Sequence, residues 1–129
     1  MRIYLVRHAE AAPGQPDELR RLTAEGRAAA RALGERLREE TEVDAVLTSP
    51  LLRARETADE IARALGRTAE STELLAPGAS GADLLEAVEG LGEVVVAVGH
   101  QPDCSLIATA LAGGEPPAFP PGGVVRLEL

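Results

Sequence analysis

Short apolar runs alternate along this chain with longer stretches whose apolar positions recur at helical spacing. Arg2 to Val6 reads as a buried strand, since Ile3 to Val6 offers no polar face. Thr23 to about Glu40 reads as a helix: Leu33 and Leu37 fall four apart among alanines, with Arg and Glu on the other face. Asp44 to Leu47 is a second strand, ended by Thr48, Ser49 and Pro50. Leu51 to Leu65 is a second helix, stopped by Gly66, where a left-handed cap is expected. A short strand is expected around Thr72 to Leu75, a short helix over Ala82 to Val88, and a strand over Glu93 to Val98, closed by Gly99. Pro102 to Leu111 reads as a helix with Pro102 near its first turn and Gly113 past its end. Gly123 to Leu129 supplies a last strand.

Strands alternating with helices in this way predict an α/β sandwich with a largely parallel sheet. The Pro- and Gly-rich stretch from Gly113 to Gly123 reads as a loop, because too little chain follows it to form a second unit. Residues 1–129 are therefore expected to form one domain, a length that can bury a core without disulfides or metals.

Composition narrows the classes of function. The net charge of −8 disfavours nucleic acid and anionic membranes as partners. All 13 basic residues are Arg, so Schiff-base chemistry and the P-loop lysine grip are excluded. A single Cys excludes an internal disulfide and paired-cysteine metal sites. The first apolar run is too short for a signal peptide, and no stretch is long enough to span a bilayer, so a cytoplasmic protein is expected.

Three predicted strands end in conspicuous residues. The first runs into Arg7-His8, the second into Ser49-Pro50 with Arg53 just beyond, and the third into Gly99-His100. Open α/β sheets bind ligands beyond the carboxyl ends of their strands, so both histidines of the chain fall where a site is expected. Two imidazoles and two guanidiniums suit a phosphoryl group. Arg offers paired planar donors to phosphate oxygens, and a neutral imidazole can attack phosphorus. The first turn of the helix after His100 is expected to add backbone N–H groups to the same anion.

The residues resemble the histidine phosphatase superfamily, the phosphoglycerate mutase-like fold. Arg7-His8-Ala9-Glu10 is similar to its opening motif, and Leu22-Thr23-Ala24-Glu25-Gly26 to its L-T-x-x-G element. Thr48 to Ala58 is similar to its S-P-x-x-R-A-x-x-T-A motif, and Val98-Gly99-His100-Gln101-Pro102 to its second histidine motif. Four motifs in order are specific, and the resemblance runs from the first residues to the last strand, essentially the whole chain. The short chain, the R-H-A-E-A opening and the Phe119-Pro120-Pro121-Gly122 loop resemble the SixA-type branch of phosphohistidine phosphatases. The resemblance implies a three-layer α/β/α sandwich with one antiparallel strand and no lid insertion. It also implies His8 as nucleophile, a phosphate pocket of Arg7, Arg53, His8 and His100, and no metal or other cofactor. Arg20 is expected at most at the pocket's rim.

Other members carry a Glu general acid in a loop after the third strand; here Ala76-Pro77-Gly78-Ala79-Ser80 follows Leu75, and Glu73 falls inside the predicted strand. Without a lid the site is expected to be open, which suits a phosphorylated protein side chain.

Plainer readings stand beside these. A histidine ending a buried strand is readily a packed core residue; Arg7 beside His8 and the equivalent placement of His100 tell against that here. Arg55, Glu56 and Arg63 read as a solvated helix face, as do Asp17, Glu18, Asp103 and Glu10 as solvated carboxylates. Cys104 reads as a small packed hydrophobe, since a cysteine phosphatase needs an Arg six residues on and that position is Ala110.

The expectation is thus a metal-independent phosphatase acting through phospho-His8 on phosphohistidine in a protein. The second reading is a phosphatase of small phosphomonoesters such as sugar phosphates, and the third a non-catalytic phospho-binding module. His8, which such a module would not need, tells against the third.

Overall fold

The computed structural model describes residues 1–129, as five strands, four helices and two 3-10 turns. In chain order these are β1 (Arg2–Arg7), α1 (Ala24–Glu40), β2 (Ala45–Thr48), α2 (Leu52–Leu65), β3 (Ala69–Ser71), α3 (Gly81–Val88), β4 (Val94–Gly99), α4 (Asp103–Ala112) and β5 (Val124–Glu128). The 3-10 turns are Asp17–Leu19 and Glu73–Leu75. The sheet order is β3-β2-β4-β1-β5; β1 to β4 run parallel and β5 pairs antiparallel to β1.

Alternation along the inner strands divides the core into two layers. On β1, Ile3 and Leu5 join Val95, Ala97, Leu84, Val88 and Ile107 on the side of α3 and α4. Tyr4 and Val6 join Val96, Val98, Leu33, Leu37, Ala58 and Ile61 on the side of α1 and α2. Both faces of β1 and β4 are thus covered, which is why these strands read as unbroken apolar runs. The three-layer sandwich is as expected.

Helix boundaries follow local chemistry. Thr23 caps α1, its Oγ1 accepting the Gly26 N–H at 3.0 Å. Gly34 lets α1 and α2 meet closely, since a Cβ there would lie 2.9 Å from the Ile61 carbonyl oxygen. Gly66 ends α2 in the left-handed region, at φ 69°.

One expected strand is displaced. The third strand is Ala69–Ser71, and Glu73–Leu75 forms a 3-10 turn with the Thr72 hydroxyl accepting the Leu74 N–H at 3.2 Å. An edge strand of three residues needs no apolar alternation, and the leucine pair serves the turn instead, where Leu75 is buried in the core. Glu73 consequently lies beyond the third strand, not within it.

Candidate active site

The strand order brings the carboxyl ends of β2, β4 and β1 side by side. Register places Arg7 opposite Gly99 and Thr48 opposite Val98. The His8 N–H donates to the Gly99 carbonyl and the Ser49 N–H to the Val98 carbonyl, both at 3.0 Å, so the three chain exits leave the sheet locked together. The His8 and His100 rings end with centroids 5.4 Å apart, tilted by 57°.

Each motif has a structural cause in this corner. Thr57 is wholly buried; its hydroxyl accepts the Ala9 N–H at 3.0 Å and donates to the Arg53 carbonyl at 2.8 Å. It therefore fastens the residue after His8 to the first turn of α2. Gly26 is required because a Cβ there would lie 2.3 Å from the Glu10 carbonyl oxygen. Gly122, at φ 77°, donates its N–H to the His8 carbonyl at 3.0 Å and closes the far side.

His8 Nδ1 lies 2.8 Å from the Ala9 carbonyl oxygen. A carbonyl only accepts, so Nδ1 carries the proton and Nε2 keeps its lone pair. Burial holds the His8 imidazole below its ordinary 6.5; the Ala9 hydrogen bond works against this, and Arg53, Arg7 and Arg20 add to the depression. His100 Nε2 lies 2.7 Å from Ser49 Oγ, with both residues buried. Burial, then His8 and Arg53, lowers its pKa to about 4, while Asp17 pulls the other way. Both rings are neutral at neutral pH.

The two arginines differ in setting. Arg7 Nη1 donates to the Phe119 carbonyl at 2.9 Å, so the Phe-Pro-Pro-Gly loop orients it. The Arg53 side chain is only 10 % exposed; its Nη1 donates to the Asp17 carbonyl at 3.0 Å and its Nη2 to Asp17 Oδ2 at 3.2 Å. Arg7 Nε, Arg53 Nε and His100 Nδ1 are buried with no hydrogen-bond partner in the protein. Buried polar atoms are ordinarily satisfied, so three orphans on neighbouring residues mark a place built for a polar ligand. No three His, Cys, Asp or Glu side chains gather in metal-ligand geometry.

The structure thus gathers all four expected residues, His8, His100, Arg7 and Arg53, at the carboxyl end of the sheet. Arg20 sits at its periphery, donating from Nε to the Ala12 carbonyl at 3.0 Å and from Nη1 to Asp17 Oδ1 at 3.2 Å. Of the amides expected from the first turn of α4, two are engaged elsewhere, Cys104 N–H on the His100 carbonyl and Ser105 N–H on Gln101 Oε1, while the Asp103 N–H has no partner in the protein. Cys104 is wholly buried and its thiol is pushed up to about 12 by burial, in keeping with a packing role. Glu73 is exposed and borders a shallow hollow of Leu74, Ala76, Pro77, Gly78, Ala79 and Asp83, which none of the four site residues lines.

Three carboxylates depart from expectation. Glu56 is buried, accepting the Leu22 N–H at 2.8 Å and pairing with Arg27 and Arg21. Burial pushes its pKa up, but the Leu22 N–H and Arg27 outweigh that and hold it below the usual carboxylate range. Asp103 Oδ2 accepts the Gly78 N–H at 2.8 Å. Asp17, still half exposed, sits on Arg53 and Arg20. Nothing in the sequence points to that contact across 36 positions, whereas Ser49 and Thr57 lie inside a motif already singled out.

The roomiest concavity, about 540 Å³ between α1 and α2, is lined by Arg31, Glu35, Arg38, Glu39, Glu60 and Arg63 and lies apart from this corner. Volume is the poorer guide here. That groove holds charges of both signs, whereas the corner at the carboxyl end of the sheet holds buried Arg53, half-buried Arg7 and three unpartnered polar atoms.

Fold and site together define a phosphatase, a hydrolase of phosphoryl groups. The chain belongs to the histidine phosphatase superfamily (branch 1), whose family model matches residues 3–81. Within it the likeness is to the SixA type. Phosphohistidine phosphatase SixA of Escherichia coli K12 is 32 % identical over all of this chain and 86 % of its own length. An uncharacterised protein of Picosynechococcus is 40 % identical over 89 % of this chain and 75 % of its own. A structure of the protein histidine phosphatase SixA complexed with tungstate superposes with a TM-score of 0.89 at 29 % identity, covering all of this chain and 88 % of that one. No helix is long and apolar enough to cross a membrane.

Proposed function

We propose that residues 1–129 act as one domain that dephosphorylates phosphohistidine in a protein, in the cytoplasm and without a metal. The observation that carries the mechanism is the Nδ1–H of His8 donating to the Ala9 carbonyl, which leaves Nε2 free as nucleophile beside the guanidiniums of buried Arg53 and half-buried Arg7. His8 Nε2 forms a bond to phosphorus as the bond to the substrate imidazole breaks, its electron pair returning to the leaving nitrogen. Arg7, Arg53 and the Nδ1 edge of His100 hold the phosphoryl oxygens. Water then attacks phospho-His8, releasing phosphate and regenerating the imidazole.

Electrostatics support an anion here despite the overall charge of −8. Two unit charges 4 Å apart attract by roughly 4 kcal/mol at an effective dielectric of about 20. Surface charges farther away than a Debye length, about 8 Å at physiological salt, are largely screened. The two near guanidiniums outweigh them.

The substrate class is supported by the end-to-end likeness to SixA and by the short connection between β3 and α3, residues 72–80, which carries no lid. The second reading, a phosphatase of small phosphomonoesters, would call on an acid for its alkoxide leaving group, and Glu73 lies beyond β3 but on a hollow that none of the four site residues lines.

The test is phosphate release, with chelator present, from a histidine-phosphorylated protein and from an aryl phosphate, using wild type and His8→Ala. Fast His8-dependent release from the phosphohistidine protein is expected. Turnover of the ester alone would move the assignment to the second reading, and near-normal turnover by His8→Ala would sink the mechanism.

A further inference from the structure

The unexpected contact at the site is Asp17 on Arg53. The Asp17–Leu19 turn lies against the start of α2, and Asp17 binds the guanidinium twice, through its backbone carbonyl on Nη1 and through Oδ2 on Nη2. Arg20 Nη1 donates to the other carboxylate oxygen at 3.2 Å. A guanidinium has five N–H donors, so Asp17 leaves three, among them the buried and unpartnered Nε–H. One Arg53 can therefore hold a phosphoryl oxygen and Asp17 together. The carboxylate is 55 % exposed, and two oxygens that each accept one bond keep lone pairs for another donor.

We propose that Asp17 is a specificity-determining residue that favours phosphorus–nitrogen over phosphorus–oxygen substrates: its carboxylate accepts a hydrogen bond from the distal N–H of a phosphorylated imidazole whose phosphoryl group shares Arg53. The inference rests on the phosphohistidine reading above and deepens it.

The chemistry of the two leaving groups separates them. A phosphoimidazole protonated on its distal nitrogen carries a positive ring beside Asp17. When His8 Nε2 bonds to phosphorus and the old P–N bond breaks, that electron pair goes to the leaving nitrogen and the ring departs as neutral imidazole. The distal proton stays in place, still bonded to the carboxylate, so no separate acid is required. An ester leaves with negative charge growing on its oxygen, which a fixed carboxylate opposes. One residue thus helps the first substrate and hinders the second. The charged and titratable groups around Asp17 are Arg20 at the end of its own turn, Arg53 from α2, and, across the site, His8, Arg7 and His100.

The experiment compares kcat/KM for a histidine-phosphorylated peptide and for an aryl phosphate in wild type, Asp17→Asn and Asp17→Glu. The ratio of the two constants is expected to fall on the order of tenfold in Asp17→Asn, the scale of one hydrogen bond to a charged group, and to recover in part in Asp17→Glu. The alkaline limb of kcat on the peptide is expected to move to lower pH in Asp17→Asn, because the carboxylate no longer holds the distal proton. An unchanged ratio, from equal losses on both substrates or none, overturns the proposal while leaving the phosphohistidine reading intact. A wild type that turns over the ester and not the peptide overturns that reading and this inference with it.

Discussion

Replacing Thr57 by Val tests the coupling between fold and site most directly. The substitution keeps shape and removes one hydroxyl from a fully buried position. That hydroxyl is the acceptor for the Ala9 N–H, and Ala9 is itself fully buried. An orphaned buried donor costs about 1–3 kcal/mol. The Arg53 carbonyl loses its side-chain donor but keeps its helical position, so it adds little. Unfolding entropy of about 2.1 cal/mol/K per residue gives roughly 0.27 kcal/mol/K for 129 residues, or about 4 °C of Tm per kcal/mol. The expected fall in Tm is therefore about 4–11 °C by calorimetry. Activity should fall further than stability explains, because Ala9 also supplies the carbonyl that fixes the His8 tautomer. At a temperature where the variant is fully folded, kcat should drop by about tenfold, the equivalent of one hydrogen bond. A variant with wild-type Tm would refute the burial argument. Lost stability with wild-type kcat would refute the claim that the Thr57–Ala9 bond orients His8.

Ser49→Ala removes the only hydroxyl on His100 Nε2; kcat should fall, and the His100 titration should change while that of His8 changes less, as NMR of the imidazole Cε1–H signals would read. Wild-type kcat in that variant would show that Ser49 does not orient the ring. The chain has only two histidines, so the same NMR titration of the folded wild type should show both midpoints below 6.5, with His100 near 4; a midpoint at or above 6.5 for either would contradict the neutral pair. The linked stability has a definite sign. Unfolding lets both rings bind protons more readily, so this contribution is fully present above pH 6.5 and is lost as pH falls toward 4, and Tm should decline across that window.

Legibility in the sequence tracked how local the deciding physics was. β1 and β4 were plain because both their faces are buried, and α2 because its stop, Gly66, is a conformational requirement at one residue. β3 was misplaced because a three-residue edge strand, Ala-Glu-Ser, carries no pattern, and the nearby leucines belong to a turn. Glu56 read as solvated because its helical neighbours are charged; its actual partners, Leu22 N–H, Arg21 and Arg27, arrive from another part of the chain. The four site residues were legible because Arg7 ends a strand, His8 and His100 directly follow one, and Arg53 lies in the first turn of the helix after a strand-ending Ser-Pro, where topology alone delivers side chains. Asp17 was not, because a loop carboxylate reaches Arg53 only through the path of a Pro- and Gly-containing segment that no periodicity describes.

Placing β4 between β2 and β1 is the step that turns separate strand ends into one site. Had β1 and β2 been neighbours, His8 and Ser49 would have adjoined and His100 would have stood off to one side. With β4 in the middle, His100 meets both, and its ring lies against Ser49 on one side and His8 on the other. That arrangement keeps buried His100 and half-buried His8 neutral while Arg7 and Arg53 carry the charge. A positive site so confined, on a chain of net charge −8, attracts a phosphoryl group strongly only at short range. Free anions gain little long-range attraction from such a surface. A phosphoryl group carried in by a docked protein side chain bypasses that disadvantage, because docking contacts supply the approach and the guanidiniums act only at the end of it.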